Sequence, residues 1–478
     1  MFANHELLIA GDWQPASGGN TFPINNPATG QKIGVAASAT SEDIKRAIDA
    51  AEAVMPLWES TSPWERSDIL RKIAQNMRDR VTEIAELITL EIGKPTDQAM
   101  GEVRGSAEQF DWFADETRRI LGQIVESRLP DTQHFVKYEP VGIVAAFSPW
   151  NFPVALAARK IAPALAAGCA VIVKGASEAP GATKVLIECC ENAGLPAGTV
   201  SLLSGNADAI SNTIMEDARV RKVSFTGSVP VGKTIAAAAA QTLKKVTMEL
   251  GGHTPVIVMD DVDVAHVAKM SAQAKFRNCG QVCISPSRFL VMKTVADEYI
   301  REFTKTTEAL KVANGCEDGA DVGPLATEKR RNAIAKLVND AMAQGATLAT
   351  GGKIPEGMDE GYFYAPTVLV DVPDTARLMQ EEIFGPIAAI RTVESLEEAI
   401  EIANNTEFGL HAYAFTASLR SAHKIADGLK CGMVTINSFS PAMTEVPFGG
   451  IKSSGYGREG GSLGIWEYLQ SKSITLTL

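Results

Sequence analysis

Apolar residues recur every three or four positions along three stretches near the start of the chain, at 41–59, 63–91 and 96–120. This spacing places the apolar side chains on one face of a helix, so each stretch is predicted to form an amphipathic helix. Gly93 and Pro95 end the second of them, because glycine follows helix ends and proline cannot continue a helix. The chain is therefore predicted to open with a helical layer.

A different pattern, that of extended chain, occupies 123–139 and 471–478. The first segment is predicted to form two strands interrupted at Leu129-Pro130-Asp131, and the second alternates between apolar and polar residues. Few residues of either segment have a core-like character. A hairpin that cannot bury its own side chains often packs on another subunit. We therefore group both segments as an oligomerisation element.

From Val141 onward, short continuous apolar runs alternate with helical stretches. The runs lie at 141–147, 170–173, 200–203, 223–225 and 246–249. Continuous runs of this kind are typical of buried parallel strands joined by crossover helices. They predict a doubly wound α/β sheet, the usual setting for a dinucleotide.

A second α/β series runs from 255–258 through 289–291 to 432–434, with a boundary at Gly251-Gly252, where the backbone has maximal freedom. The expected organisation has three parts. They are a dinucleotide-binding domain at 1–122 and 141–250, a catalytic domain at 251–432, and a small β arm at 123–140 and 460–478.

Composition narrows the function. The chain has 478 residues, 45% of them hydrophobic, and a net charge of −12 without a basic stripe, which argues against nucleic-acid binding. No apolar run reaches the roughly 18 residues of a membrane span, and the segment Met1 to Ala10 lacks the pattern of a secretory signal. The seven cysteines match neither a zinc site nor a disulfide framework. We expect a cytoplasmic protein with reduced thiols, no bound metal and no membrane partner.

Two segments are candidates for binding a cofactor. Phe225 to Gly232 follows a strand, with Ser228 able to cap the next helix and Gly227 allowing close approach of a ligand. Lys174 ends another apolar strand, at the edge where such sheets bind ligands. An ordinary capped turn and a solvated strand end are the respective alternatives.

Three residues are candidates for catalysis. Cys283 follows Gly280-Gln281 on a predicted loop, where a thiol is accessible, whereas Cys279 fits the alternative of a small buried hydrophobe. Glu249 lies between apolar neighbours and two glycines, so we expect desolvation to raise its pKa toward that of a general base. Asn151, between two prolines, offers a stiffly held amide for an oxyanion. The alternatives for Glu249 and Asn151 are ordinary turn residues.

Together these motifs resemble the aldehyde dehydrogenase family, and the resemblance runs from about Leu8 to the C-terminus. Its patterns are met at 149–153 (Pro-Trp-Asn-Phe-Pro), 249–252 (Glu-Leu-Gly-Gly), 276–283 (Phe-x-Asn-x-Gly-Gln-x-Cys) and 381–386 (Glu-Glu-Ile-Phe-Gly-Pro). The resemblance implies two doubly wound α/β domains with an oligomerisation arm, and a homodimer or homotetramer. It also explains the absence of a GxGxxG turn, since this family binds the dinucleotide in a variant way.

The resemblance implies roles as well. Cys283 would form a thiohemiacetal and then a thioester, Asn151 would hold the oxyanion, and Glu249 would activate the hydrolytic water. The cofactor would be bound by Trp150, Lys174, Ser177, Gly205, Gly227, Ser228, Leu250, Glu382 and Phe384. Many NAD-preferring members carry Glu where this chain has Ser177, so we expect NADP to be used well, with NAD possible because Glu178 is adjacent.

Arg159 and Arg277 flank the tunnel that the resemblance implies, and two arginines would suit a substrate with a distal carboxylate. Structural salt bridges are the alternative. The pair resembles that of succinate-semialdehyde and 2-oxoglutarate-semialdehyde dehydrogenases. Met443 stands near the position where the former place a carboxylate-binding serine, which leaves a bulkier or aryl aldehyde as an alternative substrate.

Three other classes of protein are alternatives to an aldehyde dehydrogenase. A thiol hydrolase would need a histidine base, and only His253 lies beside these motifs. A CoA-acylating relative would lack the carboxylate at Glu249. A non-enzymatic structural relative should lack Cys283 or Glu249, and both are present.

Overall fold

A computed structural model describes residues 5–440 and 443–478. Residues 1–4, which begin both the predicted range 1–122 and the segment assessed for a signal, lie outside it, as do 441–442. The helices are α1 (Ser41–Ser60), α2 (Pro63–Asp79), α3 (Val81–Ile92), α4 (Thr96–Thr117), α5 (Ala155–Ala167), α6 (Pro180–Glu191), α7 (Ala207–Glu216), α8 (Val229–Ala240), α9 (Val264–Phe276), α10 (Ala296–Glu308), α11 (Glu328–Ala343), α12 (Arg377–Gln380), α13 (Leu396–Asn404) and α14 (Leu419–Gly428).

The strands are β1 (Leu7–Ile9), β2 (Asp12–Gln14), β3 (Thr21–Asn25), β4 (Lys32–Ala37), β5 (Gln123–Val125), β6 (Thr132–Pro140), β7 (Ile143–Phe147), β8 (Ala170–Lys174), β9 (Val200–Leu203), β10 (Val220–Thr226), β11 (Lys245–Glu249), β12 (Pro255–Val258), β13 (Arg288–Met292), β14 (Thr347–Thr350), β15 (Thr367–Val370), β16 (Ile387–Val393), β17 (His411–Phe415), β18 (Met433–Ile436), β19 (Gly455–Tyr456) and β20 (Leu469–Thr477). Short 3₁₀ helices lie at Arg277–Gly280, Lys293–Val295, Lys452–Ser454 and Gly464–Tyr468.

The opening helical layer forms as its periodicity predicts, with one difference. α1 and α2 begin with capping boxes, in which Thr40 pairs with Asp43 and Ser62 with Glu65. The stretch 63–91, predicted as one helix, is two. Arg80 adopts φ −110° and ψ 19°, so α2 ends before it and α3 restarts after it.

The first large sheet carries the two segments that were expected to bind a cofactor. Its strands lie in the order β19-β11-β10-β7-β8-β9-β1-β2, with the five from β11 to β9 parallel. The chain runs from β7 to β9 in one direction and then returns to place β10 on the other side of β7. This reversal is a topological switch point, and doubly wound sheets bind ligands at the carboxyl ends of the strands beside it.

The second large sheet has the order β14-β15-β16-β13-β12-β17-β18, with only β14 antiparallel. Cys283 precedes β13 in the chain and Glu382 precedes β16, so both lie at the amino ends of their strands. This amino edge meets the carboxyl edge of the first sheet, because the loops from both edges line one cavity. The expected fold of two α/β domains is confirmed.

The β arm is a three-stranded antiparallel sheet in which β20 pairs with β6 from Leu469 to Thr477, and β5 pairs with the other side of β6. Three details differ from the expected ranges. β18 extends the second sheet past 432, β19 joins the first sheet, and Ile465 is buried in the first core, so the arm's strand begins at Leu469 rather than 460.

Candidate active site

A cavity of about 410 Å³ lies at the switch point of the first sheet. The loops after β7, β10 and β11 supply one wall, and the segments before β13 and β16 supply the other. This cavity brings together nine of the residues singled out from the sequence: Trp150, Asn151, Gly227, Ser228, Glu249, Leu250, Cys283, Glu382 and Phe384. The strand order thus places residues from five distant segments at one site.

A second cavity of about 360 Å³ adjoins the first and shares Cys283 and Leu156 with it. Its wall is largely apolar, with Phe152 and Phe448 on either side, and Arg159 and Arg277 also line it. Cys283 therefore stands where the two cavities meet. A nucleophile in this place can reach a substrate in one cavity and a cofactor in the other.

The Cys283 thiol is half-buried in a turn, and burial raises its pKa to about 12. The carboxylates of Glu382 and Glu249 raise that pKa further, while Arg159 opposes them. The thiol is thus neutral at physiological pH in the protein alone. Cys279 is fully buried in the core of the second domain, as its alternative reading expected.

Both carboxylate oxygens of Glu249 are buried, and neither has a hydrogen-bond partner among the described residues. Desolvation raises the pKa of Glu249 well above its ordinary value, with a further contribution from the charge of Glu459. The expected rise is confirmed, and a role as the hydrogen-bonded cap of a local turn is excluded. A side chain at Gly449 would crowd the carboxylate, since its Cβ would lie 2.7 Å from Oε1.

Sequence reasoning missed a buried ion pair behind Glu249. Lys160, on α5, pairs with Glu459 and also donates to the hydroxyl of Thr226 at 2.7 Å. The second oxygen of Glu459 is buried without a partner in the described part of the chain. The signal was the adjacent charges Arg159-Lys160 within an otherwise apolar helix, since buried charges are rarely structural accidents.

The Asn151 side chain is buried, and its amide donates to the carbonyl of Gln281 at 3.0 Å. Its own backbone carbonyl accepts from Lys94 at 2.8 Å and from the side chain of Asn278 at 3.0 Å. The amide nitrogen has a second proton, which is free to meet an oxyanion in the cavity. Contacts on both sides of the residue hold its orientation.

Glu382 and Phe384, which were expected to hold the nicotinamide half of a dinucleotide, both line the first cavity. Glu382 accepts the N–H of Gly252 at 3.0 Å, and a Cβ at Gly251 would lie only 2.4 Å from its other oxygen. Burial raises the pKa of Glu382 to about 7. Phe384 lies edge-on to Trp150 with ring centroids 5.6 Å apart, and both rings line the cavity. Arg330, missed from the sequence, donates to the carbonyls of Ile383 and Phe384.

The N-terminus of α8 lacks the side-chain cap that the sequence predicted. Ser228 is the N-cap residue, but its side chain makes no capping hydrogen bond. The first N–H groups of this twelve-residue helix are therefore left without a side-chain cap beside the cavity, where a phosphate group would be stabilised. Gly227 is required for an internal reason, since a Cβ there would lie 2.5 Å from the ring of Phe225.

Lys174, Ser177 and Gly205 lie apart from this cavity. Lys174 ends β8 opposite Phe147, and burial lowers the pKa of its amine while Glu178 opposes that effect. The Ser177 hydroxyl donates to the carbonyl of Gly205 at 3.5 Å, and Ser177 and Glu178 line a separate cavity of about 270 Å³. The structure therefore joins Ser177 to Gly205 and places the charge of Glu178 near Lys174, but none of the three predicted residues lines the cavity that contains Cys283.

The two arginines of the tunnel differ in burial. Arg159 is buried, and its guanidinium lies 4.3 Å from the centroid of the Phe448 ring, whereas Arg277 is exposed. Within residues 5–440 and 443–478, neither forms an ion pair with a carboxylate, so the alternative of structural salt bridges is excluded there. Met443 is exposed and is absent from the tunnel wall.

No cluster of side chains suited to a metal ion occurs within the described ranges. Nor does any helix there combine the length and the hydropathy needed to cross a membrane.

Comparison with known proteins places this geometry in a family. The profile of the aldehyde dehydrogenase family matches residues 13–474. The chain is 38% identical over 473 residues to a glutarate-semialdehyde dehydrogenase of Pseudomonas putida, covering 99% of this chain and 98% of the relative. The same values describe the match to the succinate-semialdehyde dehydrogenase [NADP(+)] of Escherichia coli.

Among solved structures, a succinate-semialdehyde dehydrogenase from Burkholderia pseudomallei superposes with a TM-score of 0.97 at 38% identity, covering 99% of this chain and 98% of that one. The chain belongs to the aldehyde dehydrogenase family, and it is an oxidoreductase that acts on aldehydes with a nicotinamide cofactor.

Proposed function

We propose that the chain oxidises a semialdehyde, an aldehyde with a carboxylate at its far end, to the corresponding dicarboxylic acid. The observation that carries this proposal is the buried guanidinium of Arg159 in the tunnel that leads to Cys283. The names of the succinate- and glutarate-semialdehyde relatives support it.

Cys283, Asn151 and Glu249 each act in a different step of the proposed reaction. Cys283 loses its thiol proton to water and attacks the aldehyde carbon as the thiolate, and the Asn151 amide together with the backbone N–H of Cys283 stabilises the oxyanion that forms. A nicotinamide held beside Glu382 and Phe384 would supply the hydride acceptor. Glu249 then takes a proton from water, which attacks the thioester and releases the acid. Because its carboxylate is buried and has no hydrogen-bond partner in the described part of the chain, Glu249 is poised to accept that proton.

The positive charge of the buried Arg159 guanidinium favours an anionic substrate over a neutral one. The Arg159 guanidinium forms no ion pair with a carboxylate among the described residues, and stacking on Phe448 contributes about 2 kcal/mol at most. A substrate carboxylate would supply the missing charge through a bidentate contact with the guanidinium. Phe152, Leu156 and Val282 would meanwhile surround the apolar carbons between the two ends of the substrate.

Replacement of Arg159 by Ala should lower kcat/KM for succinate or glutarate semialdehyde far more than for pentanal. Loss of a buried charge pair costs about 2–5 kcal/mol, which corresponds to roughly 30- to 5000-fold. Arg159 also lowers the pKa of Cys283, so every substrate should slow somewhat. The decisive quantity is therefore the ratio between the charged and the neutral substrate, measured from reduced-cofactor absorbance.

Arg277→Ala is the matched control, because its guanidinium is exposed at the tunnel and should contribute less than about 1 kcal/mol. Wild-type preference for pentanal or benzaldehyde over both semialdehydes would contradict the proposal. An unchanged ratio in Arg159→Ala would contradict the assignment of the arginine.

For the cofactor, we propose that NADP is used well and is preferred over NAD. Ser177 carries no charge to repel a 2′-phosphate, and the nearby Lys174 donates no hydrogen bond to another described residue. The NADP designation of the Escherichia coli relative supports this preference. Catalytic efficiency with each cofactor is read from the same absorbance assay, and a strong preference for NAD would contradict it.

We also propose that the chain forms a homodimer or homotetramer in the cytoplasm. β20 and β5 leave the two edges of the arm unpaired, and Ile124, Leu476 and Leu478 are exposed on it. Unpaired strands of this length favour pairing with a second copy. A particle of 50.9 kDa, the mass of one chain, in light scattering would contradict this. All seven cysteines are free thiols, which suits a reducing compartment.

A further inference from the structure

Three side chains at the start of α4 connect the two loops that carry Asn151 and Cys283. Lys94 precedes the helix, and Gln98 and Glu102 lie one turn apart on the same face of it. We call these three residues the α4 clamp. Lys94 and Glu102 are buried and form an ion pair. None of them was singled out from the sequence.

The clamp holds the Asn151 loop at its middle and at the end that leads into α5. Lys94 donates to the backbone carbonyl of Asn151 at 2.8 Å. Glu102 accepts the N–H groups of Val154 and Ala155 at 3.0 and 3.1 Å. These are the first N–H groups of α5, which has no side-chain cap at its own N-cap residue. Glu102 therefore caps α5 from another helix while it neutralises Lys94.

The clamp also reaches the loop of the nucleophile. Gln98 accepts the backbone N–H of Asn278 at 2.8 Å, and the Asn278 amide donates to the carbonyls of Asn151 and Gln281. Asn278 and Cys279 adopt φ values of 50° and 54°, which are strained for side-chain-bearing residues. Such a conformation persists only where surrounding contacts enforce it. The three clamp residues thus fix the two loops relative to each other.

Lys94 is not available to bind the substrate, although it lines the tunnel. Its ammonium already contacts Glu102 and the carbonyl of Asn151, and it lies 3.6 Å from the centroid of the Phe152 ring. Burial lowers the pKa of Lys94 to about 8, and Glu102 opposes that effect. A buried ion pair contributes little net stability, so its placement calls for another explanation.

We propose that Lys94 and Glu102 are positioning residues that hold the Asn151 amide at the distance from Cys283 that oxyanion stabilisation requires. The inference rests on the oxyanion role proposed for Asn151. Because both residues act through the loop, their loss should misplace the amide without removing the nucleophile, the base or the cofactor contacts.

The test uses Lys94→Met, Glu102→Gln and the double variant in the full-length protein. The rate of reduced-cofactor formation in the first turnover should fall about 10- to 100-fold, the scale of a misplacement of about 1 Å. KM for the cofactor and the rate of Cys283 alkylation by iodoacetamide should stay within about twofold of wild type. The double variant removes both buried charges, so its Tm should recover toward wild type while its rate stays low.

Arg80→Met is the matched control, because it breaks a half-buried ion pair with Glu188 that joins α3 to α6 away from both cavities. It should lower Tm and leave the first-turnover rate unchanged. A rate that follows Tm through the whole series, or that recovers in the double variant, would overturn the positioning role.

Asn151→Ala is measured beside these variants to distinguish failure of the oxyanion role of Asn151 from failure of the positioning role of Lys94 and Glu102. A wild-type rate in Asn151→Ala would remove the oxyanion assignment itself, and the positioning role with it. A slow Asn151→Ala beside a fast Lys94→Met would overturn the positioning role alone.

Discussion

Cys283→Ala should abolish aldehyde oxidation and leave cofactor binding intact. Cys283 is the one residue besides Leu156 shared by both cavities, so no other thiol in the structure can reach a substrate and the cofactor together. Removal of a covalent nucleophile lowers turnover on the order of 10⁶-fold in a well-studied hydrolase, so the expected rate is background. Reduced-cofactor absorbance gives the rate, and tryptophan fluorescence gives cofactor binding, because Trp150 lines the cavity.

Cys279→Ala is the matched control for this prediction. Its thiol lies four positions earlier, is fully buried in the second core and has a pKa raised to about 12 by burial. The variant should lose some stability and keep its activity. Activity near wild type in Cys283→Ala, or loss of activity in Cys279→Ala alone, would contradict the assignment of the nucleophile.

Residues within short motifs were predictable because local sequence determines their setting. Glu249 lies two residues before Gly251 and Cys283 three residues after Gly280, and burial of Glu249 followed from its apolar neighbours. The ion pair behind Glu249 was not predictable, since Lys160 and Glu459 are 299 positions apart. The contact of Lys94 with Asn151 spans 57 positions for the same reason. Only the folded chain brings such partners together.

In the fold, too, features set by the local sequence were predictable, whereas features set by distant parts of the chain were not. Apolar periodicity located the helices of the opening layer and eight of the fifteen described strands of the two large sheets, but no glycine or proline marks the break at Arg80. Ser228 has the residue type of a cap, yet its side chain forms no capping bond. The short strand β19 joins the first sheet only after the chain has completed the second. The return of the chain to the first sheet could not be predicted from periodicity, because a strand of two residues is too short to show an alternation of apolar and polar positions.

Glu249→Gln should separate the two halves of the reaction, producing a burst of reduced cofactor followed by a slow steady state. Glutamine has the same shape but cannot accept a proton, so water would attack the thioester roughly 10²- to 10⁴-fold more slowly. Formation of the thioester should be preserved. The charge of Glu249 raises the pKa of Cys283, so its removal should make the thiolate easier to form. Alkylation of Cys283 by iodoacetamide should therefore be as fast as in wild type, or faster.

The pH dependence gives this prediction a second readout. Glu249 must be ionised to act as a base, and burial raises its pKa well above the ordinary value. Where hydrolysis limits turnover, the wild-type rate should accordingly rise with pH as Glu249 loses its proton, and Glu249→Gln should lack that rise. Rapid-mixing absorbance measures the burst, and steady-state assays across pH measure the rise. If the burst and the steady state slow by the same factor, Glu249 acts before hydride transfer and is not the base of the hydrolytic step.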